Sequence, residues 1–263
     1  MAWVRRHLVV IVGLLVMGYI LLPNLVVIAY SFNKPKGRYN LTLTQFSLDA
    51  WTHPCGAPGI CGSLGLSLQI GIIASLSATV LGTMVAFALG RHRFRGRAAT
   101  NLLVFMPMAT PEVVMGSRLL TLFIAMGIPT GRTTILIAHI MFCVSFVVVT
   151  VKARVASLDP RLEEAAADLY ANEAQTFRRV TFPLVAPGIA AGGLLAFSLS
   201  FDDYIITNFN ASPSSVTFPM YVWGAAQRGI PVQINVIGTV MFLGALTIVG
   251  AAQLVGARRN RKV

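Results

Sequence analysis

Acidic residues within long apolar runs are the side chains of this sequence that could do chemistry. Asp202 and Asp203 stand together near the end of one apolar run, and Glu112 follows Pro111 inside another. An ionisable group in an apolar span is costly, so it normally faces a cavity or a partner. These carboxylates could therefore attract a cation along a path through a membrane, or they could pair internally.

Catalytic and nucleotide-binding motifs are absent from the sequence. It contains no G-x-x-x-x-G-K-[ST], no H-E-x-x-H and no G-x-S-x-G, and its four histidines are scattered. Asp202 and Asp203 are adjacent rather than on facing helices, which gives little support to an aspartyl protease. We therefore expect no catalytic residue, no metal site, no cofactor and no ATP hydrolysis by this chain.

The low charge content indicates the solvent for which the chain is built. Only 11% of its 263 residues are charged, whereas soluble domains have about 25%. The net charge of +12 does not indicate a nucleic-acid partner, because the basic residues form short clusters at the ends of apolar runs rather than one face. The composition predicts a protein embedded in the lipid bilayer.

Six apolar segments reach the length of about 20 residues that a membrane-spanning helix needs. They are residues 8–30, 64–90, 98–126, 133–151, 184–207 and 234–256. The first segment could be a signal peptide, but its apolar run exceeds a typical signal core of about 7–15 residues and favours an uncleaved anchor. The sequence predicts an all-α polytopic transmembrane helical bundle.

Lysine and arginine indicate the orientation of these spans. With the N-terminus inside, fifteen of the 21 basic residues lie on the inner side, five lie outside and Arg118 falls within a span. This positive-inside bias predicts that both termini are cytoplasmic. We expect an N-terminal helix and external loop (residues 1–62), a transmembrane core (63–257) and a basic tail (258–263).

Two of the three cysteines lie in the first external loop, in the stretch PCGAPGIC. Cys55 and Cys61 could form a short disulfide in an oxidising exterior, and the sequence leaves that question open. A metal site there is less favoured, because His53 is the only nearby imidazole. Cys143 falls within a span and is interpreted as a small packing residue.

A polar, helix-forming segment lies between the fourth and fifth predicted spans. Asp159 is a favoured N-cap, and Pro160 suits a first helical turn, where its missing N–H is not needed. Glu163 and Glu164 follow in the first turns, where the helix dipole favours negative charge. Three alanines then complete a small-residue patch on this predicted surface helix.

A second short helix is predicted directly after the first. Asn172 is a good N-cap, and Gln175 three residues later completes a capping-box pattern. Arg178 and Arg179 match the dipole near the helix end, and Pro183 marks the return to the membrane. This helix–turn–helix could dock a neighbouring protein, or it could simply lie on the membrane surface.

The same segment resembles the EAA motif of the inner-membrane permease subunits of ABC importers, written E-A-A-x3-G-x9-I-x-L-P. Every spacing is matched, by Glu164, Ala165, Ala166, Tyr170, Val180, Phe182 and Pro183. The resemblance implies a MetI-like ABC permease fold whose coupling helices, about residues 160–182, dock into a cleft on an ATPase subunit. The residues that it assigns to this coupling are Glu163, Glu164, Ala165, Ala166, Asp168, Tyr170 and Pro183.

Tyr170 is the largest departure from that motif, because the family's glycine supplies a permissive turn conformation at this position. We expect a neighbouring residue to form the turn instead. Asn172 tolerates left-handed backbone angles better than most residues and is the candidate.

Nearly the whole chain from about residue 63 is similar to one branch of that family, the spermidine/putrescine permeases of the PotC type. Residues 105–120 (FMPMATPEVVMGSRLL) and 197–242 (beginning FSLSFDDYIITNFN) carry this resemblance. It implies a cationic polyamine or another amine-bearing solute as substrate, in a bacterial inner membrane. The implied partners are a homologous permease that completes the pore, two ATPase subunits and an extracytoplasmic solute-binding protein.

The candidates for the substrate pathway are Asp202, Asp203, Tyr204 and Glu112. The two aspartates lie about 23 Å along the fifth span if its helix starts at Pro187, which is towards the outside. Adjacent helical positions point about 100° apart, so one carboxylate can line a path while the other packs. A helix-capping or inter-subunit pair is the alternative.

Pro107 and Pro111 predict a bend in the third span, because proline interrupts the hydrogen bonds of a helix. Irregular backbone at membrane depth is tolerated only within protein or beside a water-filled cavity. Glu112 could meet the substrate at this bend or pair within the protein, although Arg118 is too distant along the helix for an ideal pair.

An ion-coupled carrier is the rival transport class, but the internal repeat common in such carriers is not evident.

Overall fold

A computed structural model describes the backbone of residues 2–40 and 42–260 and the side chains of residues 7–40, 42–248 and 250. Regular structure in this part is almost entirely helical. In chain order the helices are α1 (Ala2–Ser31), α2 (Asp49–Thr52), α3 (Ile60–Arg91), α4 (Arg97–Ala109), α5 (Glu112–Ala125), α6 (Arg132–Ala156), α7 (Arg161–Asp168), α8 (Glu173–Thr176), α9 (Phe182–Asp202), α10 (Ile205–Asn210), α11 (Phe218–Arg228) and α12 (Val232–Asn260). A π-helical turn, Phe177–Thr181, joins α8 to α9.

Four segments of the described chain are long and apolar enough to cross a membrane, and the number is five if a bent helix pair counts as one span. The four are His7–Ser31, Ile60–Arg91, Arg132–Ala156 and Glu173–Asp202. The predicted all-α, multi-pass class is confirmed by these helices. The sixth predicted span lies in α12, whose apolar stretch Val232–Ile248 is shorter than a full span, and most of its remainder lies outside the described side chains. The count of six stays a prediction.

The third predicted span is the bent pair, α4 and α5, whose axes differ by 109°. Thr110 between them has extended backbone angles, φ −86° and ψ 130°. Such angles are expected of a residue that precedes proline, because the ring of Pro111 clashes with a helical conformation there. The predicted bend is confirmed, and it places Glu112 at the start of α5.

The fifth predicted span ends earlier than the sequence indicated. α9 stops at Asp202 and α10 begins at Ile205, so the prediction of one helix through Thr207 was wrong. The side chain of Asp203 accepts hydrogen bonds from the backbone N–H groups of Ile206 (3.2 Å) and Thr207 (2.7 Å). A carboxylate in this position caps the start of a new helix, which explains the break.

Residues Ser63–Met220 form one compact unit, in which α6 packs along α9. Gly188 on α9 permits this approach, because a Cβ atom there would lie only 2.7 Å from the Cβ atom of Arg154 on α6. Small residues at such contacts let membrane helices pack closely. Cys143 is buried in the same core, as expected of a packing residue. α4 and α10 also pack against α6, and α5 packs against α10.

Residues Met1–Gly62 and Tyr221–Val263 form the other unit, in which α1 and α2 pack against α12. Cys55 and Cys61 are joined by a disulfide, with their Cα atoms 5.4 Å apart, which answers the question that the sequence left open. The rings of Phe32 and Trp51 stack with centroids 5.2 Å apart. These contacts hold the loop that follows α1.

Candidate functional site

A buried carboxylate, Asp203, lies at the break between α9 and α10, with 4% of its side chain exposed. Its Oδ2 atom accepts hydrogen bonds from the backbone N–H (2.7 Å) and the hydroxyl (2.8 Å) of Thr207. The Nε2 atom of His139, on α6, lies 3.2 Å from the same oxygen. The carboxylate is therefore satisfied by groups of its own chain, as a buried charge must be.

His139 connects three helices through its two ring nitrogens. Nδ1 lies 2.7 Å from the hydroxyl of Ser200 on α9, and Nε2 lies 2.9 Å from the hydroxyl of Thr207 on α10. Only 2% of the imidazole is exposed. Because its partners come from different elements, this ring fixes α6, α9 and the start of α10 relative to one another.

Asp202 and Glu112 differ from Asp203 in being exposed. Neither forms an ion pair with any of the side chains that the structure describes. Glu112 lies in the first turn of α5, where the helix dipole favours a negative charge. The four predicted pathway residues thus comprise two exposed carboxylates, the half-buried Tyr204 and one carboxylate committed to internal bonds.

The α7–α8 hairpin, residues 161–176, is built by local capping. The Oδ1 atom of Asp159 accepts the N–H of Arg161 at 3.0 Å. The capping box predicted for α8 is confirmed, since Asn172 Oδ1 accepts the N–H of Gln175 (2.9 Å) and Gln175 Oε1 accepts the N–H of Asn172 (3.0 Å). The hairpin continues through the π-helical turn into α9, whose first turn carries Pro183.

Tyr170 forms the turn between α7 and α8, with a left-handed φ of 59°. Its N–H bonds to the carbonyl of Ala167 at 2.9 Å, and the N–H of Ala171 bonds to the carbonyl of Ala166 at 3.1 Å. This pair of bonds is the Schellman motif, in which the left-handed residue is usually glycine. The expectation that Asn172 makes the turn was wrong, because Asn172 has a φ of −74° and caps α8 instead.

The turn projects two large side chains into solvent. Leu169 is 83% exposed and Tyr170 is 97% exposed, and the carboxylate of Asp168 lies exposed at the end of the same helix. Apolar groups held so far into water by a rigid turn form a surface suited to another protein.

The remaining predicted coupling residues of α7 face different ways. Ala165 is exposed, whereas Ala166 is buried against the chain itself. Glu164 is exposed, whereas Glu163 is half-buried and lies 3.0 Å from Arg91. Two of the three alanines, Ala165 and Ala167, and one of the two glutamates are therefore presented to solvent.

His139 and Arg91 belong to these sites although no motif contains them. An imidazole inside an apolar span, on a chain with an aspartate pair in another span, is a signal for an internal partner. Arg91 carries no such signal, because it is one of four arginines in a basic cluster. No cluster of three or more potential metal ligands occurs among the described residues.

Comparison with known proteins gives one family and several relatives. The family described as "Binding-protein-dependent transport system inner membrane component" matches residues 78–262. The spermidine/putrescine transport system permease protein PotC of Haemophilus influenzae is 33% identical over 245 residues, which cover 93% of this chain and 95% of that protein. The putrescine transport system permease protein PotI of Escherichia coli is 35% identical over 254 residues, covering 94% and 89%.

Solved structures with a similar fold come from ABC transporters. A chain of an ABC transporter involved in the import of the acidic polysaccharide alginate superimposes with a TM-score of 0.64 at 17% identity, covering 95% of both chains. A chain of the MetNI methionine ABC transporter in an inward-facing conformation gives a TM-score of 0.60 at 12% identity, covering 73% of this chain and 92% of that one. At such identities the likeness concerns the fold alone.

Replacing His139 with alanine tests the buried network. The change leaves Asp203, Ser200 and Thr207 without their shared partner, so we expect the free energy of unfolding to fall by about 3 kcal/mol. The measurement is the thermal unfolding midpoint of the purified chain in detergent. His92→Ala, which removes an exposed imidazole, is the control and should leave the midpoint unchanged. Equal midpoints for both variants would contradict the network.

Proposed function

The chain belongs to the family of inner membrane components of binding-protein-dependent transport systems, and from this membership we propose that it is the permease subunit of an ATP-driven importer of polyamines. It crosses the membrane six times, with residues 63–257 as the core and both termini in the cytoplasm. A homologous permease completes the pore. Two ATPase subunits bind the cytoplasmic face, and a solute-binding protein delivers the substrate outside.

The exposed tip of the α7–α8 hairpin is the observation that carries the ATPase part of this proposal. Leu169 and Tyr170 protrude almost fully into solvent from a turn that hydrogen bonds hold rigid. Glu164 and Asp168 add exposed negative charge on the same helix. This surface suits a partner cleft with an apolar floor and a basic rim, and we assign that cleft to the ATPase subunit.

A single helical segment connects that hairpin to the carboxylate break. α8, the π-helical turn and α9 together form the span Glu173–Asp202, 30 residues long. At 1.5 Å per residue this segment is about 45 Å long, enough to cross the membrane. A displacement of the hairpin by ATPase closure therefore tilts the helix whose far end carries Asp202. Such tilting alternately opens the two sides of the pathway.

Asp202 and Glu112 are the residues that we propose to meet the substrate. Both carboxylates are exposed and adjoin helix breaks, where irregular backbone indicates a cavity or protein contact rather than lipid. Spermidine and putrescine, which the names of the relatives specify, are flexible polycations that such carboxylates attract. Tyr204 follows the aspartate pair and contributes an aromatic face to the ammonium groups. Asp203 does not meet the substrate in this proposal; from its buried position it caps the start of α10.

Reconstitution in lipid vesicles tests the function. The chain is purified with its partner permease and ATPase subunits, the solute-binding protein is supplied outside, and uptake of labelled spermidine and putrescine is measured. We expect uptake to require both ATP and the binding protein. Uptake driven by an ion gradient without ATP would instead indicate a secondary carrier. Uptake of a different amine with no uptake of polyamines would move the substrate to another solute class.

Asp202→Asn removes a charge from the proposed pathway while keeping the size of the side chain. We expect the KM for spermidine uptake to rise about tenfold, since one lost carboxylate–ammonium contact is worth about 1.4 kcal/mol. The unfolding midpoint should not change, because Asp202 is exposed and unpaired among the described side chains. Asp49→Asn, at an exposed position in the other unit, is the matched control. An unaltered KM would remove Asp202 from the pathway.

Tyr170→Gly distinguishes the role of Tyr170 in the left-handed turn from the role of its ring in the docking surface. Glycine adopts the left-handed conformation without the cost of about 1 kcal/mol that a larger residue carries, so the unfolding midpoint should rise. Co-purification of the ATPase should fall, because the protruding ring is lost. Tyr170→Phe keeps the ring and should retain the ATPase. Full ATPase recovery with the glycine variant would show that the ring makes no contact.

A further inference from the structure

One carboxylate oxygen joins α7 to two other helical elements. The Oε1 atom of Glu163 lies 3.0 Å from Nη2 of Arg91, the last residue of α3. The same oxygen accepts a hydrogen bond of 2.8 Å from the hydroxyl of Thr181, which ends the π-helical turn before α9. The first helix of the hairpin is therefore tied to the end of one long helix and to the base of another.

These are the specific links that α7 has to the rest of the bundle. Within the part of the chain that the structure describes, no other side chain of α7 forms a hydrogen bond or ion pair with a different helix. Ala166 adds a small apolar contact. Besides the chain itself, which continues through α8 into α9, Glu163 is thus the polar side chain through which a force on α7 reaches the bundle.

Arg91 is well placed to receive that force. Its side chain is 22% exposed, and its Nε and Nη2 atoms are shielded from solvent. A shielded guanidinium needs a nearby counter-charge, because an unpaired charge away from water is costly. Glu163 supplies the one carboxylate within ion-pair distance among the described residues. Breaking the pair leaves the shielded guanidinium of Arg91 without a counter-charge, which favours movement of the two groups together.

The end of α3 is itself rigidly held. A guanidinium nitrogen of Arg97 donates a hydrogen bond of 2.7 Å to the carbonyl of Leu89, which joins α3 to the start of α4. A Cβ atom on Gly90 would lie 2.8 Å from Cγ1 of Val155, so the end of α3 packs tightly against a side chain of α6. A displacement of Arg91 therefore moves the end of α3 as a rigid unit and not only the arginine side chain.

We propose that the ion pair of Glu163 with Arg91, supported by Thr181, is the internal link that passes displacement of α7 to α3 and α9. Glu164, the exposed neighbour, faces the ATPase, while Glu163 faces the bundle. Arg91 is then a positioning residue for transport in addition to its place in the basic cluster. This inference rests on the proposed function, because it assigns the route by which the hairpin acts.

The decisive quantity is the amount of spermidine imported per ATP hydrolysed, measured in the same vesicles. Glu163→Gln removes the ionic link while preserving side-chain size, and Arg91→Gln removes it by replacing the guanidinium with a shorter neutral amide. We expect this ratio to fall about tenfold in both, within the usual range of coupling between sites, with ATPase co-purification unchanged. The charge-reversed double variant, Arg91→Glu with Glu163→Arg, should recover most of the ratio. Arg93→Gln, an exposed arginine two residues beyond Arg91, is the control.

Three results would overturn the link: an unchanged ratio in both single variants, no recovery in the charge-reversed pair, or loss of ATPase binding in Glu163→Gln. The last would mean that Glu163 contacts the ATPase directly.

A double-mutant cycle on the unfolding midpoint of the chain alone tests the contact without a transport measurement. Non-additive effects of the two glutamine changes support the pair, and strict additivity contradicts it. Absence of ATP-driven uptake in the unmodified complex would refute the proposed function and leave this cycle as the test of the contact.

Discussion

A buried charge with no water around it must find its partners within the protein, and the unit formed by Ser63–Met220 is organised around that requirement. The carboxylate of Asp203 is satisfied by Thr207 and His139, which belong to α10 and α6. Because those bonds cap α10, the chain can leave one helix and start another with the N–H groups of Ile206 and Thr207 satisfied. The break, the exposed position of Asp202 and the contact of three helices all follow from the same carboxylate.

The two acidic pairs of the chain share one design. In each, adjacent residues point about 100° apart on a helix or its end, and one carboxylate is held by a basic or imidazole side chain from another helix. Arg91 holds Glu163, and His139 contacts Asp203. Their neighbours, Glu164 and Asp202, are left exposed. Each pair thus combines a group that fixes the element with a group that is free to meet something outside the chain.

Features set by a few neighbouring residues were predictable from the sequence. Local chemistry determines three features that the structure confirms: the capping box at Asn172, the bend before Pro111 and most of the apolar helices. Tyr170 was misjudged because the end of α7 requires a left-handed residue at that position whatever its side chain. The end of α9 was misjudged because capping by Asp203 overrides an apolar pattern that continues beyond it. His139 and Arg91 become functional candidates only once distant helices are brought together, and no spacing rule encodes such contacts.

The π-helical turn at Phe177–Thr181 changes the direction in which the residues beyond it point around the helix axis. A π turn accommodates an additional residue without adding a full α-helical turn, so all positions beyond it are rotated by about 100° relative to an unbroken helix. The direction in which Asp202 points around the axis of α9 therefore depends on one additional residue in the π-helical turn, about 20 positions earlier. Deleting that residue would leave composition and length almost unchanged, yet it would turn the far carboxylate towards a different neighbour.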